Sequence, residues 1–267
     1  VARLRPIDHE EHLTLVEHLG ELRSRILWIM LAVGVAFTLT FWQNHLVLEI
    51  FNRPLNAVDE DLLGAGGKPI TLGVTEQFTT TFTMAGYAAI LLALPVILYQ
   101  LYAFILPAFS PRERRVAKPL LLMVPALFIG GVAFGYFFVL EPATQFLLNF
   151  NSDEFTTAVR ARDYYSFVSL TLISLGLLYQ VPVGILALTR LGITTPAGLR
   201  RNRRYAILGC AVLAALLPTI DPVTLILEMV PLIVLYEVSI LLAVAFGQPA
   251  RQAGAAPVPA TGNAPTG

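Results

Sequence analysis

Charge is scarce in this chain: Asp, Glu, Lys and Arg make up 13% of its 267 residues, about half the share of an ordinary soluble domain. With 56% hydrophobic residues beside it, that scarcity excludes a single water-soluble globular core. Lys plus Arg balance Asp plus Glu at 18 each, so no net charge draws nucleic acid. One cysteine, Cys210, lies in an apolar run, which excludes an internal disulfide and gives the thiol a packing role. Histidines are few (His9, His12, His18, His45) and form no HExxH pair, which speaks against a buried zinc site. GxSxG and P-loop motifs are absent, as are carboxylates paired at mid-membrane depth. No cofactor and no enzymatic constellation follow from these residues.

What the chain does have is length without charge. Residues 26–48, 77–111, 119–140 and 164–189 carry no Asp, Glu, Lys or Arg, and each reaches the roughly 20 apolar residues that cross a bilayer. Region 205–246 is too long for one crossing, and Pro218, Asp221 and Pro222 mark a turn within it. The expected fold is an all-α polytopic membrane protein with six spans, at 26–43, 77–105, 118–141, 164–189, 205–217 and 222–246. A cytoplasmic amphipathic segment, 1–25, precedes them, and a disordered tail, 247–267, rich in Ala, Pro, Gly and Thr, follows. Acidic residues Asp8, Glu10, Glu11, Glu17 and Glu21 precede the first span, unlike the short basic start of a cleavable signal, so no processed leader is expected.

Six spans put both termini on one side. Fourteen basic residues fall on that side and four (Arg53, Lys68, Arg160, Arg162) on the other, so the positive-inside rule makes both termini cytoplasmic. Pro95 and Pro182 interrupt the second and fourth spans. The first external loop, with Pro54, has room for a short interfacial helix near Leu46–Phe51. The fifth helix is short enough to leave a recess on one side of the membrane.

Polar groups inside apolar helices are costly and are functional candidates by default. Gln180, Glu228 and Glu237 qualify, read either as helix-to-helix hydrogen bonding or as the lining of a solvated groove. At the cytoplasmic surface Glu21 follows an amphipathic pattern (Leu15, Leu19, Leu22, Ile26), and it could pair with Arg25 four residues on. Glu113 sits among arginines in the turn before the third span. Each reads as a solvated helix face or, taken together, as two carboxylates able to hold a ligand with two guanidinium groups.

Long motifs in register then give a family resemblance. Residues 17–25 (Glu-His-Leu-Gly-Glu-Leu-Arg-Ser-Arg), Pro54, the stretch from Pro95 to Phe104, Pro107, Glu113-Arg114-Arg115, Tyr136-Phe137, Val181-Pro182-Val183, Leu191-Gly192-Ile193-Thr194 and Tyr236-Glu237 resemble TatC, the core subunit of twin-arginine protein translocases. The resemblance implies a concave, glove-like bundle with short fifth and sixth helices, in the prokaryotic inner membrane. It implies recognition of twin-arginine signal peptides through Glu21 and Glu113, with Phe104, Leu19 and Arg23 at the same site. It implies structural roles for Pro54, Pro95, Pro182 and Asp221, and TatA-like and TatB-like single-span partners in an oligomeric complex within membrane lipid. Export of folded proteins would draw on the proton-motive force. Gln180 departs from the pattern, standing where the family often has glutamate, and a neutral amide cannot titrate. Glu228 replaces a generally apolar residue. An ion-coupled small-solute transporter is the alternative that Gln180, Glu228 and Glu237 leave open, although the internal symmetry of such carriers is missing.

Overall fold

The structure, a computed structural model, describes residues 15–58, 68–105, 111–155, 157–190, 192–217 and 221–246; side chains of 15–18, Ala57, 111–120 and Phe246 are outside the description. The expected disordered tail and most of segment 1–25 lie outside the described residues. Ten α-helices are described: α1 (Leu15–Trp42), α2 (Asn44–Asn52), α3 (Glu76–Ile105), α4 (Pro111–Phe134), α5 (Leu140–Asn149), α6 (Ala161–Leu178), α7 (Val181–Arg190), α8 (Pro196–Arg201), α9 (Arg203–Ala215) and α10 (Pro222–Phe246). A π-helical turn, Gly135–Val139, joins α4 to α5, and a 3-10 turn, Leu55–Ala57, follows α2. Pairing of strands is confined, among the described residues, to one bridge between Ile70 and Arg160.

Five stretches are long and apolar enough to cross a membrane: Leu19–Trp42, Glu76–Ile105, Leu121–Asn149, Ala161–Arg190 and Pro222–Ala245. The expected fifth span, α9, has 13 residues, or ~20 Å at 1.5 Å per residue, and stops short of a full crossing. Shortness is confined to it. The last helix, expected to be short as well, has 25 residues, ~37 Å, because nothing between Pro222 and Phe246 breaks the ladder except Pro231, which the helix accommodates.

Three further features concern where the helices start, stop or break. The amphipathic stretch and the first span are one continuous helix, α1, whose Leu19, Leu22 and Ile26 stay exposed rather than covered by this chain. The third crossing runs on to Asn149 through the π-turn, well past residue 141. The fourth breaks at Tyr179–Gln180, where Pro182 offers no N–H and its ring crowds the carbonyl four residues back. Pro95, by contrast, lies inside an unbroken α3.

Antiparallel neighbours pack through small residues. Ala36 on α1 meets Ala89 and Ala93 on α3, and the Thr40 hydroxyl donates to the Ala85 carbonyl at 2.9 Å. Between α4 and α6 the approach is closer still: a Cβ on Gly131 would lie 2.8 Å from the Leu175 carbonyl oxygen. At the Trp42 end, three tyrosines from the third and fourth crossings hold α2 down. Tyr136, Tyr164 and Tyr165 donate to the Ile50 carbonyl (2.8 Å), the Phe51 carbonyl (2.7 Å) and Asn52 Oδ1 (3.0 Å). Buried Phe51 and Leu55 fill the space beneath. Pro54, also buried, is the N-cap of the 3-10 turn. Cys210 is buried against Ala214 and Leu232, joining α9 to α10.

Replacing Gly131 by Ala should therefore force α4 off α6 and cost about 1–3 kcal/mol, as overpacking does. Gly130→Ala, whose Cβ would meet nothing within 4 Å, is the matched control. Thermal unfolding of the two variants in detergent separates them, and equal unfolding temperatures would contradict the close contact.

Candidate functional site

The site is built where α1 begins and α3 ends. A spacing of four residues places Glu21 and Arg25 on one face of α1. Arg25 donates from Nε (3.0 Å) and Nη2 (2.5 Å) to a single oxygen of Glu21, Oε1. The rest of its guanidinium reaches across to α3, donating from Nη1 to Gln100 Oε1 at 2.9 Å and from Nη2 to the Ala103 carbonyl at 3.3 Å. Ala103 lies in the last turn of α3, where unpaired carbonyls and the helix dipole favour a cation. One arginine thus ties two antiparallel helices together and orients a carboxylate. Both side chains are only partly exposed, 22% for Arg25 and 28% for Glu21.

Phe104, partly buried, follows Ala103 directly. Glu113 falls in the first turn of α4, but its side chain lies outside the described residues. Leu19 and Arg23 do not join the cluster. At about 100° per residue they lie roughly 160° around α1 from Glu21, and both are exposed. Gln100 lies in the Pro95–Phe104 stretch, but nothing in the sequence pairs it with Arg25, 75 positions away.

The intramembrane candidates occupy three separate places. Gln180, at the break between α6 and α7, donates from Nε2 to the Val124 carbonyl of α4 at 3.2 Å, while its Oε1 is buried with no partner. Glu237 pairs with Arg203 at 2.7 Å, both being substantially exposed. That ties it to the arginine-rich start of α9, and neighbouring Tyr236 donates to the Leu199 carbonyl at 2.9 Å. Glu228 is fully buried, on the α10 face that also carries Asp221 and Thr224. Asp221 Oδ1 accepts from the Thr224 N–H at 2.8 Å, closing the first turn of α10. Among the described residues no three His, Cys, Asp or Glu side chains come together as a metal site.

One ion pair escaped the sequence entirely. Arg160 donates to Glu76 Oε1 at 2.7 Å, and Oε2 of the same carboxylate accepts from the backbone N–H of Leu72 (2.7 Å) and Gly73 (3.1 Å). The hydrogen bond to Glu76 pushes the Arg160 guanidinium above its ordinary pKa, so it stays charged. The partners are 84 residues apart, and no periodicity connects them.

Removing Arg25 tests the cluster. Arg25→Ala should leave Glu21 without its cation and Gln100 Oε1 without its donor, destabilising the α1–α3 contact by about 1–2 kcal/mol. Arg25→Lys, lacking the planar fork, should recover only part of that. Limited proteolysis near residue 25 reads both; full recovery by lysine would mean that charge alone matters.

The family model described as Sec-independent protein translocase protein (TatC) matches residues 17–231. A Sec-independent protein translocase protein TatC of Desulforapulum autotrophicum is 34% identical over 239 residues, covering 90% of this chain and 87% of its own length. The protein of the same name from Escherichia coli (strain K12) is 34% identical over 231 residues, covering 86% and 88%. A crystal structure of the twin arginine translocase receptor TatC matches with a TM-score of 0.69 at 34% identity, across 86% of this chain and 99% of that one.

Proposed function

The chain belongs to the TatC family of Sec-independent protein translocase proteins, and from that premise we propose that it is the receptor and core subunit that captures twin-arginine signal peptides. The observation that carries this is the Glu21 carboxylate, pre-oriented by Arg25 through one oxygen at the end of α3. An incoming guanidinium meets an acceptor already fixed in place, so little ordering entropy remains to be lost on binding. Arginine rather than lysine suits the site, because a planar fork can share a carboxylate that another fork already contacts. Glu113, near the start of the adjacent α4, supplies the second carboxylate for the second arginine. Phe104 gives apolar cover beside them, and the signal's apolar segment lies along the bundle within the bilayer.

Both termini lie in the cytoplasm and the protein sits in the prokaryotic inner membrane. The support is the distribution of basic residues, fourteen on the Glu21 side against four on the Trp42 side. Capture precedes transport of the folded precursor, which the proton-motive force drives in company with TatA-like and TatB-like single-span subunits. The buried, unpartnered Oε1 of Gln180 supports a donor from such a partner helix at the α6–α7 break. A solute carrier would need its polar groups gathered around one midplane site; Gln180, Glu228 and Glu237 are dispersed instead.

Crosslinking of a twin-arginine peptide to the full chain in detergent tests the reading. Glu21→Gln with Glu113→Gln should weaken capture about tenfold, ~1.4 kcal/mol, and the loss should shrink at high salt because charge pairs in contact with solvent are screened. Unchanged capture by the folded double variant, or equal labelling by a twin-lysine peptide, would overturn it.

A further inference from the structure

A second polar feature lies at the opposite end of the bundle. A cleft of about 480 Å³ opens between α3 and α6, lined among others by Thr80, Thr83, Tyr87, Arg160, Arg162 and Ser166. Residues of the first turns of both helices line it, and Tyr87, eleven residues beyond Glu76, carries the polar lining ~16 Å along α3. Hydroxyls at that depth face an apolar surrounding unless something polar enters.

Charge in the cleft is unbalanced. Glu76 and Arg160 satisfy one another, and Asp163 lines a separate cleft on the other side of Arg160. Arg162 is exposed and forms no ion pair among the described residues, so one cation remains uncompensated. The N-termini of α3 and α6 add positive potential of the same sign. The independent mark of a missing ligand is Thr80: its side chain lines the cleft, it is 7% exposed, and its Oγ1 is buried with no partner. Thr79, one position away, has its hydroxyl satisfied by the Thr75 carbonyl. A buried hydroxyl without a partner is costly, and an acceptor oxygen from a ligand removes that cost.

We propose that this cleft binds a phosphate group, with Arg162 as its cation and the hydroxyl of Thr80 donating to it. A phosphodiester is a monoanion with several acceptor oxygens, matching one free guanidinium among hydroxyl donors. A volume of this size admits a headgroup, and the position at the ends of two membrane-crossing helices presents the site to phospholipid in the leaflet on the Trp42 side. Free inorganic phosphate has the same chemistry. The site does not depend on signal-peptide capture and contains none of its residues.

Native mass spectrometry of the full chain in detergent, with added phosphatidylglycerol, tests this. The chain should retain the lipid and should not retain diacylglycerol, which lacks the phosphate. Arg162→Gln, at an exposed position, and Thr80→Val, which keeps the volume, should each lower retention at least about threefold, the fold of each being checked by its unfolding temperature without lipid. Displacement of the lipid by millimolar inorganic phosphate would assign the site to the free anion, and its failure to displace would assign it to the headgroup. Failure of the unaltered chain to retain phosphatidylglycerol, retention by folded Arg162→Gln equal to that of the unaltered chain, or equal retention of diacylglycerol would overturn the proposal.

Discussion

A helix that starts, stops or breaks in an apolar surrounding frees amide and carbonyl groups that have no water to turn to, and this protein answers several such points with a side chain. Tyrosine hydroxyls from two other crossings accompany the last carbonyls of α2. The Glu76 carboxylate gathers the N–H groups just before α3, and Asp221 closes the first turn of α10. Gln180 bridges the break in the fourth crossing to the backbone of α4. These are the points at which the bundle departs from straight rods, and most of them tie distant parts of the chain together.

The Glu21 cluster follows the same logic with a different outcome. Arg25 satisfies the end of α3 and, in the same contact, fixes a carboxylate near the surface. Stability of the α1–α3 pair and orientation of the acceptor are therefore one interaction seen from two sides. A charged group spent wholly on structure would be buried and compensated on both oxygens; here both contacts fall on Oε1 and the pair remains in partial contact with the outside. That combination of rigidity and access is what recognition of a cationic ligand requires.

Much of the architecture was legible because the bilayer imposes a length and forbids charge. The first, second and last crossings end within a few residues of the apolar runs, and the small helix at Asn44–Asn52 falls where apolar residues recur after Trp42. Legibility failed where pattern and geometry part company. The third crossing continues past Leu140 as a helix despite Glu141 and Pro142, because Leu140 and Ala143 are fully buried against the α2 cap and its neighbours. Glu237 could be placed in the last apolar run by counting residues, but its ion pair with Arg203 at the start of α9 could not. Of the candidate site, Glu21 and Arg25 could be paired by spacing alone, whereas Leu19 and Arg23, adjacent in the motif, turn out on the far side of the helix.

The sequence by itself determined that the chain is a helical membrane bundle of a recognisable family, because apolar run length, loop charge and contiguous motifs are properties of neighbouring residues. Only the tertiary structure decided which polar groups face one another: Arg25 with Gln100, Arg160 with Glu76, Gln180 with Val124 and the hydroxyls around Arg162. Those pairings depend on how antiparallel helices align across tens of residues, and that alignment is set by the close approach of glycine and alanine surfaces, which carries no periodic trace of its partner.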